Sequence, residues 1–139
     1  MDAEHVLLLD LYRQLSASLL SDGDVDAFAT SFESLLEYAV EHFAHEEEVM
    51  RLCCYPDYAE HRKAHVKLLQ TGTDLVQTIR VRFEEYDCYA LLLFIRHWLT
   101  SHIRDHDDLL ASFLLGLRGD QTSGMTSVVR PASAISLPA

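Results

Sequence analysis

His61 and His65 stand four residues apart in the stretch His61-Arg-Lys-Ala-His65, and apolar residues at helical spacing follow. At about 100° per residue, two such side chains leave one edge of a helix roughly 40° apart, one turn above the other. Imidazoles so placed can grip one metal ion. A single pair arises by chance in any helix with several histidines, so it gains meaning only if other segments bring ligands to the same level. That demands several long helices packed side by side in a fixed register.

The rest of the chain reads that way. From Asp2 to Leu20 apolar residues recur at Leu8, Leu9, Tyr12, Leu15 and Leu19, the spacing of an amphipathic helix, with His5 one turn ahead on the same edge. Ser21-Asp-Gly-Asp24 breaks the pattern, and Asp24 suits the N-cap of a second helix. From about Val25 to Leu52 the inner edge reads Phe28, Phe32, Leu35, Ala39, His42, Glu46 and Val49 or Met50. Two ligand-type residues thus replace apolar ones on a stripe that faces a core. Pro56 interrupts, and Asp57 is expected to cap a third helix reaching about Glu85, with Tyr58, His61, His65, Leu68, Leu75, Ile79 and Phe83 inward. Asp87 is expected to cap a fourth, about Cys88 to Arg118. Its inward positions are Leu91, Leu92, Ile95, Trp98, Leu99, His102, Leu109 and Phe113, and Gly119 is placed to end it.

With only 5 Gly and 3 Pro among 139 residues, 49% of them hydrophobic, the composition suits one helical domain. Four helices on short connections run up-down-up-down. The expected fold is therefore all-α, an antiparallel four-helix bundle over residues 1–119 with a flexible C-terminal tail. That tail, 120–139, lacks helical periodicity and reads as a linker remnant. A net charge of −11 argues against nucleic acid and anionic membrane surfaces as partners. No apolar run approaches the roughly 20 residues that span a bilayer, so no membrane insertion is expected. Three cysteines without a Cys-x-x-Cys fit a reducing cytoplasm. The adjacent Cys53 and Cys54 invite a redox role, against which stands the strain of a disulfide between neighbours.

Every helix carries at least one histidine on its buried stripe: His5, then His42 with Glu46, then His61 with His65, then His102 with Asp105 and Asp107 nearby. So many polar rings in an apolar core leave donors and acceptors without partners, and a shared metal centre satisfies them together. Mixed imidazole and carboxylate ligands suit Fe, Zn or Mn, and their number exceeds what one tetrahedral ion needs.

The run His42-Phe-Ala-His-Glu46-Glu-Glu-Val-Met50, then Tyr55-Pro56, His61-x3-His65 and Trp98-Leu99-x2-His102-Ile103-x3-Asp107, resembles the hemerythrin family, its bacterial members above all. The resemblance covers residues 2 to about 118. It implies two Fe ions in an oxo- or hydroxo-bridged diiron centre: His61, His65 and His102 on one iron, His5 and His42 on the other, Glu46 and Asp107 bridging. Periodicity and family pattern part at one place. Five residues are about 140° of helix, so spacing alone pairs His102 with His106, and Asp107 would have to reach sideways.

The resemblance further implies reversible binding of O2 at the iron with two histidines, in a dry pocket for which Trp98, Leu99 and Ile103 are the candidate linings. No nucleophile, general base or substrate-binding cluster shows beyond the ligands, which favours a binding protein over an enzyme. Ferritin-like carboxylate enzymes need Glu-x-x-His on two helices, and the sequence has none. Carriage, storage or sensing of O2, the last with a signalling partner, stand beside an alternative of peroxidase-like, NO-reactive or iron-handling activity.

Overall fold

The computed structural model describes residues 2–22, 24–85 and 87–123, nearly all helical. Helix α1 spans Asp2–Asp22, α2 Val25–Leu52 and α3 Tyr58–Arg82, which tightens into a 3-10 turn at Phe83–Glu85. The fourth rod is α4 (Cys88–His102), a π turn (Ile103–Asp107) and α5 (Asp108–Ser123) in unbroken succession. The chain is an all-α four-helix bundle.

Short polar side chains set the helix starts. The Asp24 carboxylate accepts from the N–H groups of Asp26 at 2.9 Å and Ala27 at 3.3 Å, and Asp87 does the same for Tyr89 and Ala90 at 2.9 and 3.0 Å. Asp57 departs from expectation. It occupies the N-cap of α3, yet its side chain makes no capping bond; only its carbonyl engages, accepting from the His61 N–H at 3.0 Å.

Helix α2 ends in a Schellman turn. The Tyr55 N–H donates to the Met50 carbonyl at 2.9 Å and the Cys54 N–H to Arg51 at 3.4 Å, with Cys54 left-handed at φ 54°. Glycine is the usual residue there, because a Cβ crowds the following carbonyl. Cys53 and Cys54 are free thiols.

Between α1, α2, α3 and α4 lies one continuous apolar core, centred on Leu15, Phe28, Phe32, Leu35, Ile79 and Ile95. The Tyr12 hydroxyl ties α1 to α4 by donating to the Leu92 carbonyl at 3.0 Å. Gly72 lets α2 and α3 approach closely: a Cβ there would lie 2.4 Å from Leu36 Cδ2. A second, smaller cluster of Met50, Tyr55 and Leu110, with Phe113 and Leu114 packed on it, closes the other end of the bundle.

The π turn corrects two expectations. It inserts one extra residue, so every later position is displaced by one around the rod. Leu109, expected inward, is 58% exposed, whereas Leu110 is fully buried. Gly119 does not end the helix, which continues to Ser123 with open space around that glycine. Residues 120–123 of the expected tail are thus helical, and 124–139 lie outside the described residues. No helix among the described residues is long and apolar enough to cross a membrane.

Candidate metal centre

Between the two apolar clusters the inward stripes turn polar at one depth. Helix α1 contributes His5, α2 contributes His42 and Glu46 one turn apart, and α3 contributes His61 and His65. The fourth rod contributes His102 and Asp107. All seven expected ligands meet there. Six are at most 5% exposed, and the His5 side chain is 14% exposed.

Asp107 arrives without reaching sideways. The π turn lies between it and His102, and i→i+5 winding brings residues five apart onto one face. The two carboxylates lie between the two histidine sets. Glu46 Oε1 is 3.5 Å from His42 Nε2 and 3.9 Å from His5 Nε2, while its Oε2 is 3.3 and 3.7 Å from His65 and His61 Nε2. Asp107 repeats the division. Its Oδ2 is 3.1 Å from His5 and 3.9 Å from His42, and its Oδ1 is 3.0 Å from His61 and 3.1 Å from His102. Two ligand groups result, each with its atoms within 4.8 Å of one another: Glu46, His61, His65, His102 and Asp107, and His5, His42, Glu46 and Asp107.

The electrostatics are those of anions held by imidazoles. Burial would raise the Asp107 carboxyl, but the surrounding histidines, His102 foremost, hold it far below the usual carboxylate range. Burial would lower the His42 imidazole, and the carboxylates of Asp107, Glu46 and Glu4 outweigh it, so its pKa lies above the ordinary value. Even so, both Glu46 oxygens, Asp107 Oδ2 and the Nε2 atoms of His5, His42, His65 and His102 are buried without hydrogen-bond partners. Lone pairs converging on a shared space and left unsatisfied are what a cation completes. The residues fit a metal.

Sequence reading missed the groups behind the ligands. His65 Nδ1 lies 3.0 Å from Glu47 Oε1, and a carboxylate only accepts, so the ring proton sits on Nδ1 and Nε2 is left to face the centre. Glu47 is itself held by Arg62 at 3.3 Å. On the other side, Glu4 Oε2 lies 3.5 Å from His42 Nδ1, and Glu4 Oε1 is 2.9 Å from the exposed His45. The signal for both acids was their position beside ligands, Glu4 before His5 and Glu47 after Glu46. Phe43 stacks on His65, ring centroids 4.0 Å apart and planes 9° apart, and seals the core side.

The remaining candidates divide. Leu99 is buried, and Trp98 and Ile103 pack half-buried against the main core. Trp98 also lines a cleft of about 200 Å³ between α3 and α4, which opens over His102 and His106. His106 stacks on His102 at 5.1 Å, and burial, then His102 and His61, push its pKa down. His97 is exposed on α4.

The hemerythrin HHE cation binding domain profile matches residues 1–114. The chain belongs to the hemerythrin family. A bacteriohemerythrin of Methylococcus capsulatus is 29% identical over 78% of this chain and 81% of its own length. Another, from Stenotrophomonas maltophilia, is 27% identical over 79% and 70%, and a myohemerythrin of Sipunculus nudus 27% identical over 73% and 78%. No solved structure matches at comparable significance.

Proposed function

We propose that this hemerythrin-family chain is a non-haem diiron protein that binds O2 reversibly, for carriage, storage or sensing. One observation carries the reading: Glu46 and Asp107 each turn one oxygen to His5 and His42 and the other toward the remaining histidines. On this reading His61, His65 and His102 would hold one iron and His5 and His42 the second, with Glu46 and Asp107 available to both. When bound, such a centre lends two electrons to O2 and recovers them on release.

The chain's own residues supply the rest. The His5 and His42 group offers one protein donor fewer than its neighbour, which would leave room for a small ligand at that end. Leu8, Phe43 and Leu99, all at most 3% exposed, keep water from the centre, and reversal depends on that dryness. Leu99 and Ile103, with Trp98 toward the cleft, line the proposed pocket. Glu47 holds a proton on the Nδ1 atom of His65, which keeps its Nε2 aimed inward.

The test is elemental analysis of purified protein, then exposure of the anaerobically reduced protein to O2 under a visible spectrum. About two irons per chain and a stable band that fades when O2 is withdrawn support the reading. Rapid irreversible loss of the band with consumption of added peroxide overturns it in favour of the redox enzyme.

A further inference from the structure

A π turn is rare and is kept where a helix must aim a side chain that regular winding would miss. Here it aims Asp107. If the turn wound as ordinary α-helix, each inward position beyond it would pass to the residue one earlier. In most chains that would bring unsuitable side chains to the core. In this one the earlier residues are suited too: His106 stands before Asp107, Leu109 before Leu110, Phe113 before Leu114.

The structure shows the second set close to hand. Leu109 is 58% exposed despite being apolar, beside a fully buried Leu110. Phe113 already touches Tyr55, ring centroids 5.2 Å apart. The His106 ring lies 5.1 Å from that of His102 and 5.3 Å from that of His61, at the edge of the cleft between α3 and α4.

We propose that the fourth rod has a second register, in which the π turn unwinds and His106 takes the place of Asp107 among His61, His65 and His102. Helix α5 then turns by about 100° and advances by about 1.5 Å along its axis. The physical reason is charge. With cations present, two central carboxylates are neutralised by metal; without them, Glu46 and Asp107, each 1% exposed, have only the surrounding imidazoles to offset them. Replacing Asp107 by an imidazole removes one buried anion. The metal thus selects the observed register and its loss selects the other, a movement delivered to the C-terminal end of the chain. This rests on the metal-centre reading above.

The test uses the full chain with Cys53, Cys54 and Cys88 changed to Ser and with Leu109→Cys as reporter. Metal content is measured first, then the rate at which a maleimide labels position 109 with iron bound and after its removal. Labelling is expected to be fast with iron and about ten-fold slower without it, helix content by circular dichroism being retained. A companion chain lacking Arg104 places Asp107 four residues after His102, so regular α winding points it inward; position 109 is then expected to label fast in both states. Equally fast labelling of the Arg104-containing chain in both states, whether α5 stays in place or unfolds, overturns the second register. A chain that takes up no metal defeats the metal reading and the register with it. One that takes up metal and labels alike defeats only the register.

Discussion

The two halves of the bundle use the same helices and obey different physics. Around Phe28, Phe32, Leu35, Ile79 and Ile95 the core is wholly apolar and fully buried. Each such side chain contributes about 1.5–3 kcal/mol by leaving water, whatever its exact neighbours. Around His42, Glu46, His61, His65, His102 and Asp107 the stripes are buried as completely, yet burial alone opposes folding there. That half depends on partners whose atoms match in position. The comparison teaches that the apolar half carries the fold and the polar half is carried by it, tuned for a ligand.

The largest test of that division is Glu46→Ala, which removes the carboxylate facing both histidine groups. Metal content by elemental analysis is expected to fall from about two per chain to below about one, since both groups lose a donor. The converse substitution is Phe32→Ala, in the apolar half and fully buried. Denaturant unfolding should show a loss of about 3–5 kcal/mol. The loss should be the same with and without metal; a difference would mean that the halves are energetically coupled.

Glu47→Ala strikes the polar half from behind, leaving His65 Nδ1 without its acceptor. Chelator competition is expected to show about 10–100-fold weaker metal binding. Glu47→Gln, which keeps an acceptor oxygen, should recover most of it, and the exposed His45→Ala should leave metal binding unchanged.

Acidity separates the halves more gently. The His42 pKa is raised in the folded chain, so its stabilisation is complete below the ordinary imidazole value of about 6.5 and fades as pH climbs through the raised one. Asp107 is depressed, so its contribution persists above the ordinary carboxylate value and is lost only in strong acid. As pH rises above about 6.5, the Tm of the metal-free chain lacking Arg104, which keeps Asp107 inward, should therefore fall, whereas that of the metal-bound protein should rise as binding displaces fewer protons. Calorimetry of both forms across that range checks the sign. The smallest expected effect lies outside both halves. Cys54→Gly, at φ 54°, should stabilise either form by about 1 kcal/mol in denaturant titrations without altering metal content.

Much of this was legible in the residues. The apolar spacing that predicted four helices is the spacing that packs, from Leu8 and Leu15 to Ile79 and Ile95. Asp24 and Asp87 cap as their chemistry suggests. Asp57 fails to, because capping needs the side chain turned back on its own helix and not merely a favourable residue type. Glu4 and Glu47 were overlooked since their importance lies in what stands opposite them on another helix. The exposed Leu109 and the helix running on through Gly119 both sit beyond the π turn, where periodicity counted in steps of 100° no longer applies.

The sequence alone determined which stripes are apolar, which residue types interrupt them, and therefore that four helices would bury histidines and acids together. Those are local properties: side-chain chemistry and the angle between neighbours on one helix. Only the tertiary structure decided that the interruptions meet at one depth, and how Asp107, which the family pattern named and periodicity did not, comes to the same face as His102. Winding a helix as π rather than α is unfavourable locally and is settled by what the displaced residue meets across the core.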